Sequence, residues 1–327
     1  MIKINYQNYL KKKDFDFESE YKKIFTSNFG IYTKSKPRKE FKYNNGKAIF
    51  KDKKQVSLAD VFSTFKDNKI EEFDSIFDEK LLNDIFILDT LSILEFIHKN
   101  GNKSSSQKLK YFFNYEKFQS EITEFFTKNF EFTTCFYCNK DFITNFNTTK
   151  KVSTFQLDHF YDKGKYPYLA LSFYNLIPSC PTCNSSKVKG SANCYAQCKI
   201  PNSNDFNFDE KIKFKLFLSN ECKNLHIKDK ESIEIPLKEN YSDEYAKYIK
   251  VFKLNERYKA HKDIVFEMIE KAEQYPESRL RELENLTGIP YQEIKKDIFN
   301  LINEDDDLSK KPFSKLIKDI SEELELI

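Results

Sequence analysis

Two Cys-x-x-Cys pairs enclose an Asp-His dipeptide. Cys135 and Cys138 stand in CFYCNK, and Cys180 and Cys183 in CPTCNSSK. Between them lie Asp158 and His159, in FQLDHFYDKG, and Asn175, in FYNLIPSC; Asn184 directly follows the last cysteine. A two-residue gap lets both sulfurs of one turn reach one ion, so two such pairs supply the four thiolates of a tetrahedral structural zinc. Paired cysteines also serve as redox dithiols or as unrelated buried thiols, but a thioredoxin-like site needs a single pair. Inside the bracket, a carboxylate, an imidazole and an amide are the groups that metal-assisted phosphodiester hydrolysis uses. Asp158 offers a hard oxygen, and Asn184 an amide oxygen, to a divalent ion such as Mg²⁺ or Mn²⁺. His159 titrates near neutrality and can take a proton from water. Neighbours on a strand face opposite sides, so Asp158 and His159 can border one site only at a bend or a strand end.

Charge follows the same segment. Residues 135–200 carry eight lysines and three aspartates, a net +5 in a chain whose total is +3. A phosphate-binding surface requires such a concentration, although a solvated lysine-rich loop set would look the same. Lys163, Lys165, Lys187 and Lys189 are the candidates for phosphate contact. Tyr161 and Tyr166 read as packing residues. Cys194, Cys198 and Cys222 have no further ligands nearby and read as free thiols. His98, His226 and His261 sit in ordinary amphipathic segments.

The elements that must position these groups can be read from periodicity. Residues 78–99 and 108–130 place apolar side chains at helical spacing, with Asn100-Gly101-Asn102 as a stop between them. A hairpin is expected near Asn44-Asn45-Gly46. VSTFQLDHF (152–160) and LALSFYNLIPS (169–179) read as strands. Pro181 opens a short helix carrying Cys183, Asn184 and Lys187. KIKFKLFL and SIEIPL are β-like. From about 243 the chain is helical, Gly288 ends one helix, and Asp305 to Asp307 form a loop. In the last helix Leu316, Ile317, Ile320 and Leu324 share a face that docks on the body. No repeat of 20–50 residues is present. The expected class is α+β: a mostly helical region at 1–130, a compact site-bearing region at 131–200, and a short β segment followed by helices at 201–327.

The most apolar stretch, around 81–97, is interrupted by Asn83, Asp84, Asp89 and Glu95, so no membrane span is expected. The first residues lack an apolar signal core, and paired cysteines without an export signal point to a reducing, cytoplasmic setting.

DHFYDKGKYPYLALSFYNLIPSCPTCNSSK, with CFYC upstream, resembles the HNH endonucleases of the four-cysteine type. The resemblance covers residues 131–190. It implies a zinc-stapled ββα-metal core in which His159 is the general base and Asp158 and Asn184 bind the catalytic divalent ion. It implies that Asn175 orients loop and base through hydrogen bonds, and that Lys187 meets phosphate. The third position is asparagine, so the chain is an H-N-N variant. KYPYLALSFYNLIPSCPTCN is more narrowly similar to HNH proteins of bacterial anti-phage systems, including the nuclease subunit of Septu-type systems. That similarity implies defence or restriction, and an ATPase or other defence-system subunit as partner.

The expectation is therefore a DNA endonuclease. Two rivals make different demands. A non-catalytic zinc module that binds nucleic acid or a protein partner would need the cysteines but not His159 or Asp158. An RNA-cleaving HNH nuclease would use the same residues, because DNA and RNA present the same phosphate chemistry.

Overall fold

The computed structural model describes residues 1–26, 40–43, 46–49, 76–77, 81, 84–147, 151–219, 227, 229–239, 242–303 and 306–327. It is an α+β protein that combines helices with five two-stranded antiparallel sheets among the described residues.

The N-terminal part supplies α1 (Phe17–Thr26), the hairpin β1 (Glu40–Tyr43) and β2 (Gly46–Ile49), and then α2 (Thr90–Asn100), α3 (Gln107–Phe112) and α4 (Tyr115–Asn129). The expected hairpin forms, with Tyr43 opposite Gly46; its turn residues Asn44 and Asn45 lie outside the described residues. The two expected helical stretches are each interrupted. Asp89 takes the N-cap of α2, its carboxylate accepting from Ser92 N–H at 2.9 Å, so α2 starts at Thr90; Leu81 and Asp84 upstream are helical as well, and residues 78–80 and 82–83 lie outside the described residues. Gly101 at φ 64° closes it, as the Asn-Gly-Asn stop requires. Residues 108–130 divide at Phe113 and Asn114, with Asn114 in the cap position of α4.

Helix α4 buries Tyr115, Phe118, Ile122, Phe125 and Phe126, the i, i+3, i+4 stripe of an amphipathic helix. This stripe meets Tyr21 of α1 and Phe173 of the central region, the Phe126 and Phe173 rings stacking at 5.0 Å. The core is thus an aromatic layer against which the site-bearing segment is laid.

That segment holds β3 (Asn145–Asn147), β4 (Lys151–Ser153), β5 (Gln156–His159), β6 (Leu176–Ser179) and α5 (Pro181–Asn184). The strand expected over 152–160 is broken. Thr154 bonds back to Thr144 and Phe155 turns into the core, which separates β4 from β5. Of the strand expected over 169–179 only β6 is extended. Residues 167–169 and 173–175 form single 3₁₀ turns, because Pro167 fixes one start and aromatic side chains on both turns bury inward. Strands β5 and β6 pair antiparallel, with His159 opposite Leu176 and Asp158 opposite Ile177. Pro181 does open α5, but the helix ends at Asn184; Ser185 is extended, so Lys187 lies beyond it in a turn.

Downstream, α6 (Phe208–Lys211) leads into β7 (Ile212–Phe214) and β8 (Phe217–Leu218), which pair with β10 (Leu237–Glu239) and β9 (Ile233–Glu234). The β-like runs therefore form strands. Among the described residues six α-helices follow: α7 (Ala246–Val251), α8 (Leu254–Tyr258), α9 (Lys262–Gln274), α10 (Glu277–Thr287), α11 (Tyr291–Phe299) and α12 (Ser314–Glu323). Gly288 at φ 72° ends α10. Leu316 and Ile320 of α12 are buried and Ile317 and Leu324 pack beside them, so the last helix docks as its apolar face demands. No helix among the described residues is long and apolar enough to cross a membrane.

Candidate functional site

The four bracket cysteines converge. Cys135, Cys138, Cys180 and Cys183 are buried, and their sulfurs all lie within 4.8 Å of one another. A tetrahedron with Zn–S bonds of about 2.3 Å sets its sulfurs about 3.8 Å apart; Cys138 and Cys180 Sγ are 4.0 Å apart. The set can hold a metal ion such as zinc. Local backbone shape builds it. Asn139, just past the first pair, adopts φ 50°, a left-handed conformation that asparagine tolerates and that curls the turn. Cys180 caps α5, so the N–H of Cys183 points at its own partner's sulfur (3.4 Å), and the N–H of Cys180 points at Cys135 Sγ (3.3 Å).

Four thiolates around a divalent ion leave a net charge of −2, which burial penalises. Arg257 of α8 answers it: Nη1 lies 3.1 Å from Cys183 Sγ and Nη2 3.4 Å from Asp141 Oδ2. Sequence separation hid this residue, although it is one of four arginines in the chain.

Beside the cysteine cluster opens a cleft of 610 Å³. Tyr115, Glu116, Gln119 and Thr123 of α4 form one wall; Gln156, Leu157, Asp158 and His159 of β5, with Asp162, Lys163, Asn184 and Gly190, line the rest. Glu116, Gln119, Thr123 and Ser153 also line an adjoining groove along α4. His159 is the last residue of β5, so the strand end brings two neighbours to one cleft.

His159 Nε2 lies 2.9 Å from the carbonyl oxygen of Ala170. A carbonyl only accepts, so Nε2 carries the ring proton and Nδ1 is left as the basic nitrogen. Burial pushes the imidazole down to about 3; the Ala170 bond opposes this, and Lys163 and Lys189 reinforce it. The ring is therefore neutral at physiological pH, and the titration near neutrality expected from the residue type alone is displaced by burial. Tyr115 packs edge-on against it at 4.5 Å.

Asp158 is held on two sides. Tyr137 Oη donates to Oδ2 at 2.6 Å, and Lys189 Nζ lies 3.0 Å from Oδ2 and 3.2 Å from Oδ1. Burial, then the Asp158 charge, keeps the Tyr137 phenol protonated, so it stays a donor. Asn175 is fully buried. Its Oδ1 accepts from Tyr161 N–H (2.8 Å), and its Nδ2 donates to the carbonyls of Tyr161 and Leu169, both at 3.1 Å. It ties both ends of the loop that presents Ala170 to His159. Asn184 Nδ2 donates to Gln156 Oε1 at the cleft edge.

The lysines divide. Lys163 lines the cleft, with Nζ 5.1 Å from the centre of the Tyr115 ring. Lys165 bonds the Ser191 carbonyl outside the cleft lining, and Lys187 is exposed past the end of α5. Lys189 is buried at Asp158, not offered to solvent. Lys199 pairs with Asp205 and Glu244, and Lys140 with Asp141, so part of the positive excess is internally neutralised. Tyr161 and Tyr166 are buried packing residues, and Cys194 and Cys198 are buried free thiols. Cys222 and His226 lie outside the described residues. His261 sits 3.1 Å from Lys140 Nζ and packs on Phe313, away from the cleft.

Among known proteins, no family model, no curated protein and no solved structure matches this chain.

Proposed function

We propose that the chain is a metal-dependent endonuclease built on a zinc-stapled ββα-metal core of the HNH type. β5, the loop, β6 and α5 would be the ββα unit, and the four cysteines would hold zinc. The observation that carries the reading is the His159 tautomer: a backbone carbonyl holds Nε2, leaving a neutral ring with Nδ1 as base, one residue from a carboxylate in the same cleft. A base that must accept a proton has to be neutral beforehand.

Asp158 and Asn184 both line the cleft and offer a carboxylate and an amide oxygen, the hard donors that Mg²⁺ and Mn²⁺ prefer while keeping several waters. When bound, such an ion would neutralise phosphate charge and ease departure of the leaving oxygen. The protein's own groups do the rest. His159 Nδ1 takes the proton of the attacking water. Asn175 fixes the loop that fixes His159. Lys163 meets a phosphate at the cleft, and the groove along α4 gives the strand a path beyond it. Lys165 and Lys187 act at most on more distant phosphates. DNA is the proposed substrate, with bacterial anti-phage defence, alongside an ATPase or other subunit, as the setting.

The test is plasmid cleavage with Mg²⁺, Mn²⁺ or EDTA, beside His159→Ala. A loss of about 10²–10⁴-fold in a folded variant that keeps its thiolate-bound metal is expected. Equal cutting by both proteins would overturn the mechanism. Silence of both on DNA and on RNA would favour a binding module.

A further inference from the structure

Lys189 is a buried cation with a specific address. Its side chain is 1% exposed and Asp158's is 4% exposed. Nζ touches both carboxylate oxygens and also donates to the His159 carbonyl at 2.7 Å. Asp158 lines the cleft, whereas Lys189 is absent from the described lining residues. The ammonium and the Tyr137 hydroxyl, both buried, together engage both carboxylate oxygens. A turn anchored on the cysteine cluster sets the lysine's place. Lys189 N–H bonds the Cys183 carbonyl (3.2 Å), and Gly190 adopts φ +48°, where a β-carbon would be strained and would sit only 3.1 Å from Ser186 Cα.

A buried lysine is strongly destabilising unless it is paired. Here the pairing cancels the charge of the one carboxylate proposed as an ion ligand. The remaining proposed ligand, Asn184, is neutral. Divalent ions are bound chiefly by net negative charge.

We propose that Lys189 cancels the charge of Asp158, leaving the more distant Glu116 and Asp162 as the cleft's other carboxylates, so that a divalent ion binds at Asp158 weakly by itself and is retained there only together with a phosphate-bearing strand. This rests on the reading of Asp158 as an ion ligand. Lys189 is then a positioning residue that makes metal occupancy depend on substrate. The chain would carry little catalytic metal until nucleic acid supplies the missing negative charge.

The experiment is Mn²⁺ titration followed by the electron paramagnetic resonance of free Mn²⁺. It uses full-length protein carrying its thiolate-bound metal, with and without a phosphorothioate oligonucleotide. Wild type should bind Mn²⁺ at least about tenfold more tightly with the oligonucleotide than without it. Lys189→Gln, which keeps donors for Asp158 and the His159 carbonyl but loses the charge, should bind at least about tenfold more tightly without it. Lys189→Arg should behave like wild type. If Lys189→Gln folds poorly, Lys189→Met gives the same comparison, with the Mn²⁺-induced rise in Tm as readout; the rise should exceed that of wild type. Structural damage would weaken Mn²⁺ binding, the opposite sign. Unchanged or weaker binding in the charge-removing variants, while Asp158→Asn abolishes it, overturns the role of Lys189 alone. If Asp158→Asn leaves Mn²⁺ binding intact, the ion-ligand reading falls first.

Discussion

Asn175 does several jobs with one amide. Removing it would leave the Tyr161 N–H and the Tyr161 carbonyl without the Asn175 amide in the interior, while the Leu169 carbonyl would keep the Ser172 N–H, and an unsatisfied buried group costs about 1–3 kcal/mol. Asn175→Ala should therefore destabilise the protein by about 2–3 kcal/mol in urea unfolding. It should also slow cleavage by about 10²-fold, because the Ala170 carbonyl would no longer hold the imidazole in place. An Asn175→Ala protein that unfolds early but cuts at the wild-type rate would separate the loop from the chemistry. At this scale the sequence was informative wherever a group's partners lie close along the chain. Asp158, His159 and the two cysteine pairs carry their meaning in their spacing. Lys189 did not, because a lysine in a basic stretch reads as solvated, and its burial depends on a carboxylate 31 residues away. Tyr137 sits between two cysteines without any local sign that its hydroxyl would reach Asp158.

The elements show the same division for a different reason. Helix α5 was legible because Pro181 and the following cysteine specify a first turn. The strand read across 169–179 holds only at Leu176–Ser179, because aromatic and β-branched residues favour strands only when they have a pleated surface to pack on. Here Leu169, Leu171 and Phe173 bury into the helical layer instead, and the chain turns twice before β6. Arg257 marks the limit of local reading: it stood in a region read only as helical, and only folding brings its guanidinium to the thiolates. Partners that hydrogen-bond or neutralise metal ligands typically contribute 10–100-fold in metal affinity. Arg257→Ala should accordingly lose its thiolate-bound metal about 10–100-fold more readily in competition with a chelator. An unchanged competition curve would reduce Arg257 to a packing residue.

Across the whole molecule, the C-terminal helix is joined to the rest by charge as well as by its apolar face. Lys315 pairs with Asp319 and Asp209, and Lys318 also reaches Asp209. Burial pushes the Asp209 carboxyl up, but Lys315 and Lys318 outweigh it and hold the group below the ordinary carboxylate range. A carboxyl depressed in the folded state stabilises above its unfolded pKa of about 4 and loses that contribution as pH falls through the folded value. Asp209→Asn should therefore lower the urea midpoint at pH 7, with the deficit shrinking as pH drops below about 4. A deficit independent of pH would assign the loss to packing. The apolar docking face of this helix was readable from its periodicity. The ion pairs were not, since Asp209 lies over a hundred residues upstream.

Asn139 carries a consequence for how the molecule opens. Its backbone carbonyl accepts from Phe313 N–H at 2.7 Å, its Oδ1 from Ser314 Oγ and Lys315 N–H at 3.0 Å, and its Nδ2 donates to the Leu308 carbonyl at 2.9 Å. The turn that shapes the first cysteine pair is also the clasp for the start of α12. Segments that open together exchange their amide hydrogens together. With metal bound, amides of α12 and of the β5–β6 hairpin should share one slow exchange rate despite their distance along the chain. After chelation both should quicken in the same step, while the α10–α11 hairpin keeps its own rate. Independent rates for α12 and the hairpin would mean that the clasp does not couple them.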